Sequence, residues 1–232
     1  MKAMFMSDMQ VAKKYLLQQI VVALVVGLFI TFVTQSLYIT APMLIVIIPF
    51  SIAFTIIAYD ERSGWQQFRL ALPISRADVI TGRYASIALL VLVGVVVGLA
   101  VTGIGIAAAQ LLPSVPQLAE LMSNFSWQAI LMASAMGLAA IFIMLSIMLP
   151  LVSRFGMTKA VRYLPLVIVF GFVIALNLES NLQMPAFVLD FVNWVKTPEG
   201  TLAAALIAVA VVVILYLASA SLSVKLYAKR EL

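Results

Sequence analysis

Apolar residues run along the chain in long blocks separated by short charged or polar intervals, and the blocks predict an all-α arrangement of six crossings. They cover 20–38, 43–59, 84–112, 127–152, 163–178 and 201–224, and a helix of about 18 apolar residues or more spans the roughly 30 Å hydrocarbon core of a bilayer. Ahead of the first block, 7–19 sets Met9, Ala12, Leu16 and Leu17 against Asp8, Lys13, Lys14 and Gln18. That pattern predicts an amphipathic helix in the headgroup plane that leads into span one. Residues 39–42 leave room only for a tight turn, and Pro49 predicts a kink in span two. A segment at 179–200 places Phe187, Val188, Phe191, Trp194 and Val195 near helical spacing, which suits an outer interfacial helix and equally an aromatic belt anchor.

Composition supports this reading. The 232 residues are 65% hydrophobic and 10% charged, against about 45–50% and 25% in soluble domains. An integral membrane protein follows, folded as a single transmembrane domain over 1–232 with no interval long enough for a soluble domain. Its charges are asymmetric. Three Lys or Arg precede span one, four lie in 60–83, three in 153–162 and three in the tail, with only Lys196 on the other side. The bias predicts a plasma-membrane protein with both termini and both basic loops in the cytoplasm. The net charge of +5 therefore reports orientation, and no Lys/Arg run forms a nucleic-acid patch.

The chemistry missing from the spans narrows the function further. With no Cys and no His, the commonest general base and the sulfur and imidazole metal ligands are absent. No acidic residue falls deep inside a predicted span, whereas ion-coupled carriers and proton pumps commonly hold one near the midplane. Nor is there a Gly-x-x-x-x-Gly-Lys phosphate loop. A pump built on this chain needs a separate nucleotide-hydrolysing partner, and the cytoplasmic surfaces available to it are 60–83 and the N-terminal segment.

In 60–84, Trp65, Phe68 and Leu72 lie at i, i+3 and i+7 and form one apolar stripe on a short helix. Pro73 ends that helix, and Ser75 with Asp78 matches a Ser-x-x-Asp cap that opens a second helix through Arg83 into span three. The stripe suits docking into a partner's groove and also suits anchoring at the interface; Arg76 and Arg83 fit either a local role or orientation alone. Gly94 and Gly98 at a four-residue spacing suggest a close-packed seam, for which packing within one chain is the simple explanation.

The wording Asp-Glu, Gly-Trp, Leu-Pro-Ile-Ser-Arg and Gly-Arg-Tyr between spans two and three resembles the permeases of ABC type 2 exporters, particularly small bacterial ones, as does the tail Ser221-Leu-Ser-Val-Lys-Leu-Tyr-Ala-Lys-Arg-Glu-Leu232. The resemblance implies a coupling helix around 61–72 that sits in a groove of a cytoplasmic ABC ATPase. Glu61, Trp65, Phe68, Leu72, Pro73, Ser75 and Arg76 are its candidate residues. It also implies a connecting helix at 7–19, an extracellular gate near 179–200, and a homo- or heterodimer of permeases among membrane lipids. On this reading the chain is not an enzyme and holds no cofactor, ATP and Mg belonging to the partner. Spans rich in Ala, Val, Leu, Ile and Met with scattered Ser, Thr and Gln suit an amphipathic or lipid-like cargo. The rival readings are an ATP-independent channel or scaffold, and a membrane-embedded lipid-modifying enzyme, for which the acids are too scattered to converge.

Overall fold

The computed structural model describes residues 1–64, 74–112, 125–160 and 197–229, together with 115, 118, 121, 122, 162, 190 and 193–195. Among these, five helices are long and apolar enough to cross a membrane: α1 (Lys2–Thr34), α2 (Leu37–Arg62), α3 (Arg76–Leu111), α4 (Trp127–Phe155) and α5 (Pro198–Ala228). Predicted span five, 163–178, lies outside the described residues, as do Phe187, Val188 and Phe191 of the interfacial segment.

The helix starts follow local chemistry. Ser36, Ser75, Ser126 and Thr197 each stand in extended backbone and accept a hydrogen bond from an N–H of the first turn, on Tyr38, Asp78, Ala129 and Gly200 respectively, which satisfies one of the donors a helix leaves open there. Pro198 follows Thr197 at a position where its missing N–H costs nothing.

Two expectations near the N-terminus require correction. The break between the first two spans falls at Gln35 and Ser36, not at 39–42: α1 ends at Thr34, Gln35 takes a left-handed φ of 50°, and Ile39 through Pro42 are already helical. Pro42 and Pro49 are both accommodated inside α2, as prolines in membrane helices often are. In addition, α1 runs helical from Lys2 into the first span, and Asp8 lies on its buried face with Met4 and Ala12 while Lys13, Lys14 and Gln18 are exposed. The reason Asp8 turns inward is its partner on α3, described below.

Helix α2 occupies the middle of the bundle, touching α1, α3 and α4, and half of its most apolar window is buried against 17% for α1 and α5. The most extensive packing joins α4 to α5. Glycines permit the closest approaches. A Cβ on Gly98 would lie 2.9 Å from the Ala41 carbonyl oxygen and one on Gly94 2.9 Å from Pro49 Cδ, so the Gly94/Gly98 seam is intrachain packing of α3 on α2. On α4, a Cβ on Gly137 would lie 2.6 Å from Pro42 Cα. Both α2 prolines therefore sit opposite a glycine. Within the helices, hydroxyls of Thr31, Thr55, Thr102, Ser134 and Ser153 donate to the carbonyl four residues earlier, which satisfies them without water.

Contacts between helix ends fix the directions. The start of α1, the end of α2 and the start of α3 meet at one end, where Asp8, Asp60 and Arg83 are joined. The end of α5 joins them through Arg76, and the end of α4 does so through Glu61. This is the basic end. At the opposite end Thr31 and Thr40 share a 2.6 Å hydrogen bond, and Leu37, Ile106, Ala109 and Ile130 pack together. Hence α4 and α5 both run toward the basic end, and the chain that leaves α4 there enters α5 at the other.

Replacing Gly137 by Ala forces its methyl into the backbone of Pro42 and should lower stability by about 1–3 kcal/mol, whereas Gly103→Ala, with open space at its Cβ position, should be neutral or slightly stabilising. Thermal unfolding of the two variants in detergent compares them; equal midpoints would contradict the α2–α4 contact.

Candidate functional site

The site is assembled from the basic end upward. Arg83 lies on the first turns of α3, where Ser75 caps the helix by accepting from Asp78 N at 3.0 Å and donating to Asp78 Oδ2 at 2.7 Å. This is the expected Ser-x-x-Asp cap. Hydrogen bonds from the first residue's ammonium and from Ser75 hold the exposed Asp78 carboxyl below the usual carboxylate range. The first turn of α1 lies directly on this part of α3, where a Cβ on Gly82 would be 2.8 Å from Met4 Cβ.

From that capped start the Arg83 side chain reaches two carboxylates. Its Nε donates to Asp8 Oδ2 at 3.0 Å and its Nη2 to Asp8 Oδ1 at 3.1 Å, the two-pronged geometry only a guanidinium offers. The same Nη2 also donates to Asp60 Oδ2 on α2. Ser86 adds a donor to Asp8 Oδ2 at 2.8 Å. The side chains are 12%, 2% and 8% exposed for Arg83, Asp8 and Asp60, so this ion group is buried and screened little by salt.

Tyr84, the next residue, faces other helices. Its hydroxyl shares hydrogen bonds with Ser219 (2.8 Å) and Ser223 (2.7 Å) on α5, and its carbonyl accepts from the Tyr216 hydroxyl at 2.9 Å. Ser219 in turn donates to the Ser146 carbonyl of α4 at 2.7 Å. The Tyr84 and Tyr216 rings lie 4.8 Å apart, and Phe142 closes on Tyr216 edge-on at 5.0 Å. Between the two groups is a cavity of about 50 Å³ lined by Asp60, Arg83, Tyr84, Ser153 and Tyr227 among Ile57, Val79, Ile80, Leu149 and Val152.

Of the seven candidate coupling residues, three are described. Glu61 accepts from Met157 N and from the Thr158 hydroxyl at 2.8 Å, which ties the end of α2 to the turn after α4, where Gly156 has φ 79°. Arg76 donates to the Ala228 carbonyl at 2.8 Å, a cation on the open carbonyls of the α5 C-terminus. Ser75 is the α3 cap. Trp65, Phe68, Leu72 and Pro73 lie outside the described residues. The structure thus brings Glu61, Ser75 and Arg76 to the same end of the bundle, each engaged with its own chain. Sequence reasoning missed the grouping of Asp8 and Asp60 around Arg83. The available signal was that Arg83 directly abuts an apolar block, where an unpaired cation is costly.

The architecture narrows to a membrane-embedded bundle in which Asp8, Asp60, Glu61, Arg76 and Arg83 gather at one end and anchored residues flank the segment between α2 and α3. A family model described as an ABC-2 family transporter protein matches residues 3–228. The chain belongs to the ABC-2 transporter family. A comparison with curated proteins finds no match. Membership in the ABC-2 family makes the chain a multi-pass membrane permease and implies a transporter with an ATPase partner.

Arg83→Met strands two buried carboxylates and should cost about 3–5 kcal/mol. Adding Asp8→Asn neutralises one of them and should recover part of the loss. Unfolding of the purified single and double variants measures both; additive losses would contradict the pairing.

Proposed function

We propose that the chain is the permease subunit of an ABC exporter, driven by a separate cytoplasmic ATPase that docks at the segment between α2 and α3. The observation that carries this reading, beside the family, is the anchoring of both flanks of that segment. Glu61 on one side is tied to the turn after α4, and Arg76 on the other to the end of α5. A displacement of the segment by nucleotide binding is then delivered to α2, α3, α4 and α5 together. Trp65, Phe68 and Leu72 supply the apolar face toward the ATPase, and Pro73 separates that face from the capped start of α3.

The basic end is the cytoplasmic one on this reading, because thirteen of fourteen Lys and Arg fall on that side. The parallel run of α4 and α5 supports six crossings, with the apolar block 163–178 as the one that returns between them. Six helices are few to enclose a pathway, so two permeases form the path between them with two ATPases below. Cargo that suits these walls is amphipathic or lipid-like: several span hydroxyls are turned to their own helix carbonyls, leaving a mostly apolar surface.

The reading predicts that Trp65→Ala removes a central aromatic anchor, worth about 2 kcal/mol or more and so roughly 30-fold in affinity, while Gln67→Ala on the other helical face is silent. Co-purification of the ATPase with well-inserted variants decides it; full recovery with Trp65→Ala would reduce the segment to an interfacial anchor. Orientation is tested separately in the Cys-free chain. Cysteines at Ser63 and Thr158 should react only from the cytoplasm and those at Ser114 and Ser180 only from outside, and outside labelling at Ser63 would invert the topology and remove the docking argument.

A further inference from the structure

Two consecutive residues of α3 bind the bundle together at the basic end. Arg83 reaches Asp8 on α1 and Asp60 on α2, and Tyr84 reaches Ser219 and Ser223 on α5, with Ser219 passing the link to the Ser146 carbonyl of α4. Successive positions on a helix point about 100° apart, so one peptide of α3 serves neighbours on two sides. Every described long helix is attached to it directly or through one hydroxyl.

Burying this group is not the cheapest way to hold the helices together. Desolvating a guanidinium and two carboxylates costs several kcal/mol per ion, and apolar side chains of similar volume often hold an interface as firmly. What the fork and the hydroxyl pair add is a single geometry: the guanidinium donates to Asp8 in one orientation, and the Tyr84 hydroxyl shares hydrogen bonds with Ser219 and Ser223 one turn apart on α5. An apolar contact between the same helices lets them slide; these contacts do not. Their position is also particular. They lie two turns along α3 from its cap, between the segment 63–75 and the spans, with Arg76 below them already holding the α5 end.

We propose that Arg83 and Tyr84 are positioning residues that carry nucleotide-driven movement of the segment between α2 and α3 outward to α1 and α5. The inference rests on the exporter reading above. With α3 moved at its start, the Arg83 fork takes α1 and the end of α2 with it as one unit. The Tyr84 hydroxyl takes α5, and the Ser219 contact takes α4. The far ends of α1 and α5 then move in step with the ATPase although neither contains the docking segment.

Tyr84→Phe deletes only the hydroxyl, and Arg83→Lys keeps the charge while losing the fork; Tyr59→Phe, on a side chain 54% exposed at the same level of α2, is the matched control. Spin labels on cysteines replacing the exposed Thr34 and Leu202 report the distance between the ends of α1 and α5 that lie opposite the basic end. The measurement is the fraction of the distance distribution that shifts when Mg-ATP and orthovanadate are added to the permease with its co-purified ATPase. Wild type and Tyr59→Phe should shift alike. Tyr84→Phe and Arg83→Lys should recover the ATPase in full, yet their shifted fraction should fall by about fivefold or more, the lower range of ordinary coupling between sites. A wild-type shift in Tyr84→Phe overturns the role of Tyr84, and a wild-type shift in both variants overturns the proposal. Loss of the ATPase from either variant overturns it as well, by making that residue part of docking. A wild-type chain that recovers no ATPase instead overturns the exporter reading itself, and this inference with it.

Discussion

A guanidinium in a bundle of mostly apolar helices has to be met by acceptors, and the way Arg83 is met determines the arrangement of the basic end. Asp8 and Asp60 come from helices distant in sequence, so satisfying Arg83 pins the first turns of α1 and the last turn of α2 to the start of α3. The alternative, an unpaired buried charge, is so costly that it also explains why α1 begins well before its apolar block. Residues 2–19 continue the helix down the side of α3, with Met4 against Gly82, until Asp8 is delivered to its partner. A separate helix lying flat on the membrane would leave Arg83 with half of its acceptors.

From that point the rest of the end closes in order. Tyr84 draws in α5, Arg76 caps the α5 C-terminus, and Glu61 holds the turn after α4. At the opposite end the described residues show a Thr31–Thr40 hydrogen bond and an apolar cluster around Leu37. The basic end is thus cross-linked by directional polar contacts. A transporter driven from that side is suited to this arrangement, because a stiff end delivers displacement.

How much of this was legible in the sequence depended on range. The Ser75 cap and the helix it opens involve neighbours three residues apart, and the sequence carried them outright. The apolar blocks contain the cores of α2 to α5, because bilayer thickness alone dictates their length. The Gly94/Gly98 spacing was visible, but not that Ala41 and Pro49 fill the gap it leaves. The turn between the first two spans was misplaced at 39–42, an interval that includes Pro42 and separates two apolar blocks. In fact Gly137 gives that proline room inside a helix, and the polar pair Gln35-Ser36 makes the turn. Asp8 was assigned to the wetted face by helical spacing, which cannot register an arginine 75 residues away. For the same reason the sequence left Arg83 open between a local role and orientation alone.

The central claim is that one buried guanidinium organises the end of the permease on which the ATPase acts. Cryo-electron microscopy of the permease bound to its ATPase tests this most directly, because it resolves the helix ends and the docking partner in one map. The account predicts side-chain density for Arg83 between Asp8 and Asp60, with the ATPase seated beneath the segment that joins α2 to α3. A map in which Arg83 faces lipid or solvent and α1 is detached from α3, or in which the ATPase docks away from that segment, would contradict it.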